Sequence, residues 1–122
     1  MNMAKVMIAD DSEAIRQVLK DILDIGNHEV VSEAINGDET LEKYNKIQPD
    51  LLLLDLAMPK KDGLTVVKEI MELYPEAKII LITASDNQKI IKECIDAGAK
   101  TFILKPFDFD NVLKIISDTV AN

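Results

Sequence analysis

The chain has one cysteine, one histidine and no tryptophan; its other aromatic residues are three phenylalanines and two tyrosines. A single cysteine cannot close an intrachain disulfide, so packing has to hold the fold, and a reducing compartment, the cytoplasm, is expected. Positive charge is also scarce, with 14 Lys and Arg against 22 Asp and Glu and a formal net charge of -8. Neutralising a nucleic-acid backbone needs a basic face, and these lysines are scattered among acids, so nucleic acid and membrane surfaces are excluded as partners. Apolar runs are short: Leu51–Leu54 is followed at once by Asp55. Nothing approaches a membrane span, and the N-terminus carries no signal-peptide core. What remains, at 122 residues with 48% apolar and 30% charged, is one domain of an ordinary globular protein.

No linker, repeat or biased segment interrupts the chain, and short apolar runs alternate strictly with amphipathic stretches. Five strand–helix units follow. The first strand is expected near Lys5 to Ala9. A helix begins after Ser12 with Glu13 in its first turn, presents Ile15, Val18, Leu19, Ile22 and Leu23 on one face, and stops at Gly26. A second strand near Glu29 to Ala34 precedes a short helix from Asp38 with Leu41, Tyr44 and Ile47 inward. Leu51 to Leu54 is apolar at every position, as expected for a central strand covered by helices on both faces. The third helix carries Leu64, Val67, Ile70, Met71 and Tyr74, the fourth strand is Lys78 to Thr83, and the fourth helix presents Ile90, Ile91, Cys94 and Ile95. A strand from Thr101 to Leu104 and a last helix with Phe109, Val112, Leu113, Ile116 and Val120 on one face complete the pattern. Right-handed crossovers make this a doubly wound α/β sandwich. Cys94 reads as a small core residue. His28, after Gly26 and Asn27, reads as a solvated turn residue and not as a ligand or phosphotransfer group.

Polar residues end the strands: Asp10 and Asp11 after the first, Asp55 after the third, Thr83 at the fourth and Lys105 after the fifth. In a parallel sheet all carboxyl ends share one edge, where ligands bind. Asp10 and Asp11 are not needed as helix caps, because Ser12 offers one. Three carboxylates in one place repel unless a cation joins them, and an oxygen-rich site with few protein ligands suits Mg²⁺, with a phosphate as co-ligand. A carboxylate beside Mg²⁺ and a lysine can attack phosphorus and become an acyl phosphate.

In order and spacing, Ala9-Asp10-Asp11-Ser12, Leu54-Asp55-Leu56-Ala57-Met58-Pro59 with Gly63, Thr83-Ala84, Ala97-Gly98-Ala99, and Phe102 with Lys105-Pro106-Phe107 resemble the receiver domain of two-component signalling, over residues 1–122 as one domain. The resemblance implies a (βα)5 flavodoxin-like fold with strand order 2-1-3-4-5. It implies that Asp55 accepts a phosphoryl group from a histidine kinase. Asp11 and Asp55 would ligate Mg²⁺ (or Mn²⁺) directly, Asp10 through water, and Ala57 through its backbone oxygen. Lys105 would pair with the phosphoryl oxygens, backbone N–H groups of Ala57 and Ala84 would contact them, and the Lys105-Pro106 bond would be cis. Thr83 and Phe102 would form the switch. At Ala57 and Ser85 the chain departs from polar residues often found in the family.

The implied protein is a phosphoacceptor and not an enzyme beyond Mg²⁺-dependent self-phosphorylation and self-dephosphorylation. Lacking an output domain, it would act as a monomer by binding a partner. Among receivers without output domains it is most similar to the chemotaxis regulators, which take their phosphoryl group from a CheA-like kinase. The alternative is a phosphorelay intermediate that passes the group to a histidine phosphotransfer protein. The downstream motor or adaptor protein would meet the fourth helix, fifth strand and fifth helix, a face where Lys89, Lys92, Glu93, Lys100, Asp108 and Asp118 mix both signs. A flavodoxin-type cofactor binder would need a glycine- and hydroxyl-rich phosphate loop where Asp10 and Asp11 stand. A haloacid-dehalogenase phosphatase would need a DxD motif there.

Overall fold

Every residue of Leu51–Asp55 is buried, and the rest of the molecule is arranged around that strand. The computed structural model describes residues 3–84 and 87–121; Ser85 lies outside them. The elements run β1 (Lys5–Ala9), α1 (Glu13–Ile25), β2 (Glu29–Ala34), α2 (Gly37–Ile47), β3 (Leu51–Asp55), α3 (Gly63–Leu73), β4 (Ile79–Thr83), α4 (Gln88–Asp96), β5 (Thr101–Leu104) and α5 (Phe109–Ala121). All strand pairs are parallel, in the order β2-β1-β3-β4-β5. Side chains alternate between the faces of a strand, so each central strand feeds two cores. Val6, Ile8, Leu51, Leu53, Ile80, Ile82 and Ile103 meet Leu19, Ile22 and Leu23 of α1 and Val112 and Ile116 of α5. Met7, Ala9, Leu52, Leu54, Ile79 and Leu81 meet Tyr44 of α2, Val66, Val67 and Ile70 of α3 and Cys94 of α4. Cys94 is thus the core residue its spacing suggests.

Local signals set the helix ends. The Ser12 hydroxyl accepts from the Ile15 N–H, the Asn36 side chain from Glu39 and the Asp62 carboxylate from Thr65. α2 therefore starts at Gly37, capped by Asn36, one residue before the expected Asp38. At the end of α1 the left-handed residue is Asn27 (φ 61°) and not Gly26. Gly26 lies close against α5 instead: a Cβ there would meet the end of the Leu113 side chain at 2.6 Å, which would have to turn aside.

Several side chains expected inward are exposed: Ile47, Ile90, Ile95 and Phe109. Spacing marks the stripe a helix could bury, but only neighbours decide its width. α4 packs beside α3 toward the end of the sheet where β5 is the edge strand, and there Ile91 and Cys94 are buried while the flanking isoleucines stay exposed. Phe109 opens α5 before the helix settles on the sheet, and Val66, outside the expected stripe, is fully buried.

His28 also departs from expectation. It is 9% exposed, and its Nδ1 accepts the Ala4 N–H at 3.0 Å, tying the turn after α1 to the chain entering β1. Burial pushes its pKa below the ordinary 6.5. Below pH 6.5 the unfolded chain takes a proton that the folded His28 refuses, so this contribution to stability is lost as pH falls through the window beneath 6.5. His28→Ala should cost about 1–3 kcal/mol by stranding the Ala4 N–H. In urea titrations its stability should also fall less than the wild type's between pH 7 and pH 5; parallel pH profiles would contradict the buried neutral imidazole.

Candidate phosphoryl and metal site

The strand registers carry the polar strand ends to one edge. Ala9 lies beside Leu54, Asp55 beside Ile82, and Thr83 beside Leu104, so Asp10 and Asp55 emerge side by side with Thr83 and Lys105 next along the edge. Carboxylate oxygens of Asp10, Asp11 and Asp55 all lie within 4.8 Å of one another. Asp10 and Asp55 are 1% and 4% exposed, while Asp11 opens to solvent. The Lys105 Nζ stands 3.3 Å from Asp10 Oδ2 and 3.8 Å from Asp55 Oδ1. The cis Lys105-Pro106 bond is present.

Each carboxylate is aimed by the backbone. Asp10 Oδ1 accepts the Ser12 N–H at 2.8 Å, and Asp55 Oδ1 accepts the Ala57 N–H at 3.2 Å. The loop after β3 is seated on the start of α2. The Gly37 N–H donates to the Pro59 carbonyl, and a Cβ on Gly37 would lie 2.4 Å from the Lys61 Cβ and 2.6 Å from its carbonyl oxygen. Lys61 adds ion pairs to Glu69 of α3 and Asp38 of α2. Gly37 was passed over in the sequence because Asn-Gly reads as a generic turn; its role depends on a loop 22 residues away, as the numbers Gly37 and Pro59 show.

The electrostatics favour a further cation. At an effective dielectric near 20, like charges at such separations repel by about 3–4 kcal/mol per pair. Among the described residues the Lys105 ammonium lies within 4 Å of Asp10 and Asp55, the two desolvated carboxylates of the three. Burial pushes the Asp55 pKa upward, and the Asp10 and Asp11 charges add to this against the Ala57 N–H and Lys105. Asp10 Oδ2 is buried and, apart from facing Lys105, has no hydrogen-bond partner among the described residues. An all-oxygen set with an under-satisfied anionic atom fits a hard divalent cation. A cleft of about 660 Å³ lies at the opposite sheet edge among Tyr44, Pro49, Pro75 and Lys78 and gathers no comparable chemistry among the described residues.

Thr83 is buried and Ala84 exposed at the same edge. Phe102 is half-buried on β5 and packs against the core of α2, α3 and α4, on the face away from the last helix. Alternation explains this: Ile103, the next residue, takes the α5 side. The sequence reading also passed over Arg16, whose guanidinium donates to the Asp10 carbonyl at 2.7 Å and to Glu33 at 2.9 Å.

Residues 6–117 match the response regulator receiver domain. The chain belongs to that family. Receiver domains bind Mg²⁺, receive signals from histidine kinases and act on downstream targets. This receiver is 43% identical to the chemotaxis protein CheY of Bacillus subtilis over 116 residues, 95% of this chain and 97% of that protein. It is 37% identical to the protein CcdB of the same organism, covering 98% of this chain and all of that one. Among solved structures it is similar to the CheX–CheY–BeF3–Mg²⁺ complex of Borrelia burgdorferi, with 35% identity, a TM-score of 0.90, and 93% of this chain and 87% of that chain covered. No described helix is long and apolar enough to cross a membrane.

The raised Asp55 pKa has a sign that can be checked without phosphorylation. Between the unfolded value of 3.8 and the higher folded one, the folded receiver binds more protons, so this group's contribution falls as pH rises through that window and stays unfavourable above it. Asp55→Asn should therefore raise the melting temperature of the metal-free protein at pH 7, with the gain shrinking as pH approaches 4. A mutant no more stable than wild type in EDTA at pH 7 would contradict the strain assigned to the cluster.

Proposed function

We propose that this receiver is a stand-alone, single-domain response regulator of the chemotaxis type, phosphorylated on Asp55 by a CheA-like histidine kinase and acting in the cytoplasm by phosphorylation-dependent protein binding. The observation that carries the reading is the convergence of Asp55, its two acidic neighbours and Lys105 at one sheet edge. Relatives of nearly the same length support the stand-alone and chemotaxis parts, as does a CheY captured with BeF3 and Mg²⁺.

In the proposed reaction an Asp55 carboxylate oxygen attacks the phosphorus of a phosphohistidine. The new O–P bond forms as the P–N bond breaks, and the imidazole leaves with the electron pair. Asp11, Asp55 and the Ala57 carbonyl, with Asp10 behind them, would hold Mg²⁺, which when bound would neutralise the phosphoryl oxygens. Lys105, already within 4 Å of Asp55, pairs with one of those oxygens. The N–H groups of Ala57 and Ala84 and the Thr83 hydroxyl serve the others. Thr83 and Phe102 then shift together and bias the face of α4, β5 and α5. There Ile90, Ile95 and Leu104 expose apolar surface among lysines and acids. The protein is an acceptor and carrier, not an enzyme acting on a separate substrate.

Acetyl phosphate with Mg²⁺ should place one acid-stable, base-labile phosphoryl group on the wild type and none on Asp55→Asn. Phosphorylation of the mutant at the wild-type level would sink the assignment. A pull-down with beryllofluoride-loaded protein should enrich motility-apparatus proteins; enrichment of a histidine phosphotransfer protein instead would select the relay.

Reversing a 1:99 population needs about 5.5 kcal/mol of differential interaction, more than one neutral hydrogen bond supplies. Lys105 and the cation must therefore share the work with Thr83. Thr83→Ala should still accept the phosphoryl group and lose most of the phosphorylation-dependent gain in partner affinity. A full gain in the phosphorylated mutant would disprove coupling through Thr83 and Phe102.

A further inference from the structure

We propose that Arg16 is a positioning residue for the cation site: its guanidinium fixes the Asp10–Asp11 peptide in the orientation that turns both carboxylates toward Asp55. The inference rests on reading the acidic cluster as a Mg²⁺ site. Arg16 lies one turn into α1, its N–H bonded to the Ser12 carbonyl, and its side chain runs back toward the loop after β1 with 14% exposure. Nη1 donates to the Asp10 carbonyl at 2.7 Å and Nε to Glu33 Oε1 on β2 at 2.9 Å. The planar fork thus spans one acceptor just past the end of β1 and one on β2, which a lysine could not do with one fixed geometry.

That carbonyl belongs to the peptide joining the two aspartates. A peptide is a rigid plane, so holding its oxygen sets the direction in which the Asp11 side chain leaves. The Ser12 N–H bond to Asp10 Oδ1 fixes the other half of the pair. The guanidinium charge would itself oppose a nearby cation, yet Glu33 pairs with it. Glu33 is in turn held by Lys20 at 3.2 Å and, through its carbonyl, by Lys43 at 2.6 Å. Arg16 therefore acts on the cluster through geometry with its charge largely spent on β2.

The test is Mg²⁺ titration calorimetry on folded protein, with initial phosphorylation by acetyl phosphate measured across Mg²⁺ concentration. Arg16→Met should raise the Mg²⁺ Kd about tenfold, the usual scale for losing a group that orients a ligand. Its phosphorylation rate should return to within about threefold of wild type at saturating Mg²⁺, since the acceptor and Lys105 are untouched. Arg16→Lys, with one donor and no fork, should show an intermediate Kd and covers the case in which the methionine variant does not fold. His28→Ala, remote from the site, should lower the melting temperature without changing Kd. A wild-type Kd in either Arg16 variant, with Asp11→Ala still weakening binding, would overturn the positioning role alone. Absence of Mg²⁺ binding by the wild type would overturn the site reading and this inference with it.

Discussion

Three carboxylates held at one edge of a sheet repel one another, and much of the architecture exists to keep them there. The parallel arrangement delivers them, because only parallel strands end on a common edge, and the register places Asp10 beside Asp55. Keeping them costs folding free energy, which the doubly covered apolar sheet can absorb: every residue of β3 and β4 is buried. Backbone donors at Ser12 and Ala57, the Lys105 ammonium and the Arg16 fork each fix one part of the cluster. A bound cation would complete the balance that these groups leave unfinished.

Rigidity is unevenly distributed around that edge. On the side of β1 and β2 the loop after β1 is tied by Arg16, Glu33, Lys20 and Lys43, and the loop after β3 is clamped between Gly37, Lys61 and Glu69. On the side of β5 the packing is thinner. Phe102 is only half-buried, Leu104, Ile90 and Ile95 are exposed, and α4 buries two side chains. Regions with few buried contacts are those that rearrange at low cost. In the proposed switch, charge arriving at a stiff edge can therefore move the β5 side without disturbing the site that received it.

The sequence made legible whatever depends on short-range rules. Leu51–Leu54 announced a strand covered on both faces, Ser12 a helix start, and the strand-ending Asp10, Asp55, Thr83 and Lys105 a common edge. It left unread whatever depends on a distant neighbour. Ile90 and Ile95 have helical spacing with Ile91 and Cys94 but face no second layer. His28 looks like a turn residue until Ala4, 24 positions away, supplies the donor it accepts. Phe102 takes its side from the pleat, one residue out of phase with Ile103. Arg16 belongs to the polar face of an amphipathic helix until β2 brings Glu33 beside it.

The same electrostatics order the events of the proposed reaction. Lys105 lies against Asp10 and Asp55, so the one ammonium at the edge is engaged by the carboxylates themselves. A phosphoryl group approaching this arrangement meets three negative charges and a lysine already paired. A divalent cation held by Asp11 and Asp55, with Asp10 behind them, would reverse both conditions: its charge would offset the carboxylates and leave Lys105 to pair with the incoming oxygens. In the proposed reaction, phosphoryl transfer to Asp55 would then depend on prior metal binding, through the competition of one lysine and one cation for the same carboxylates.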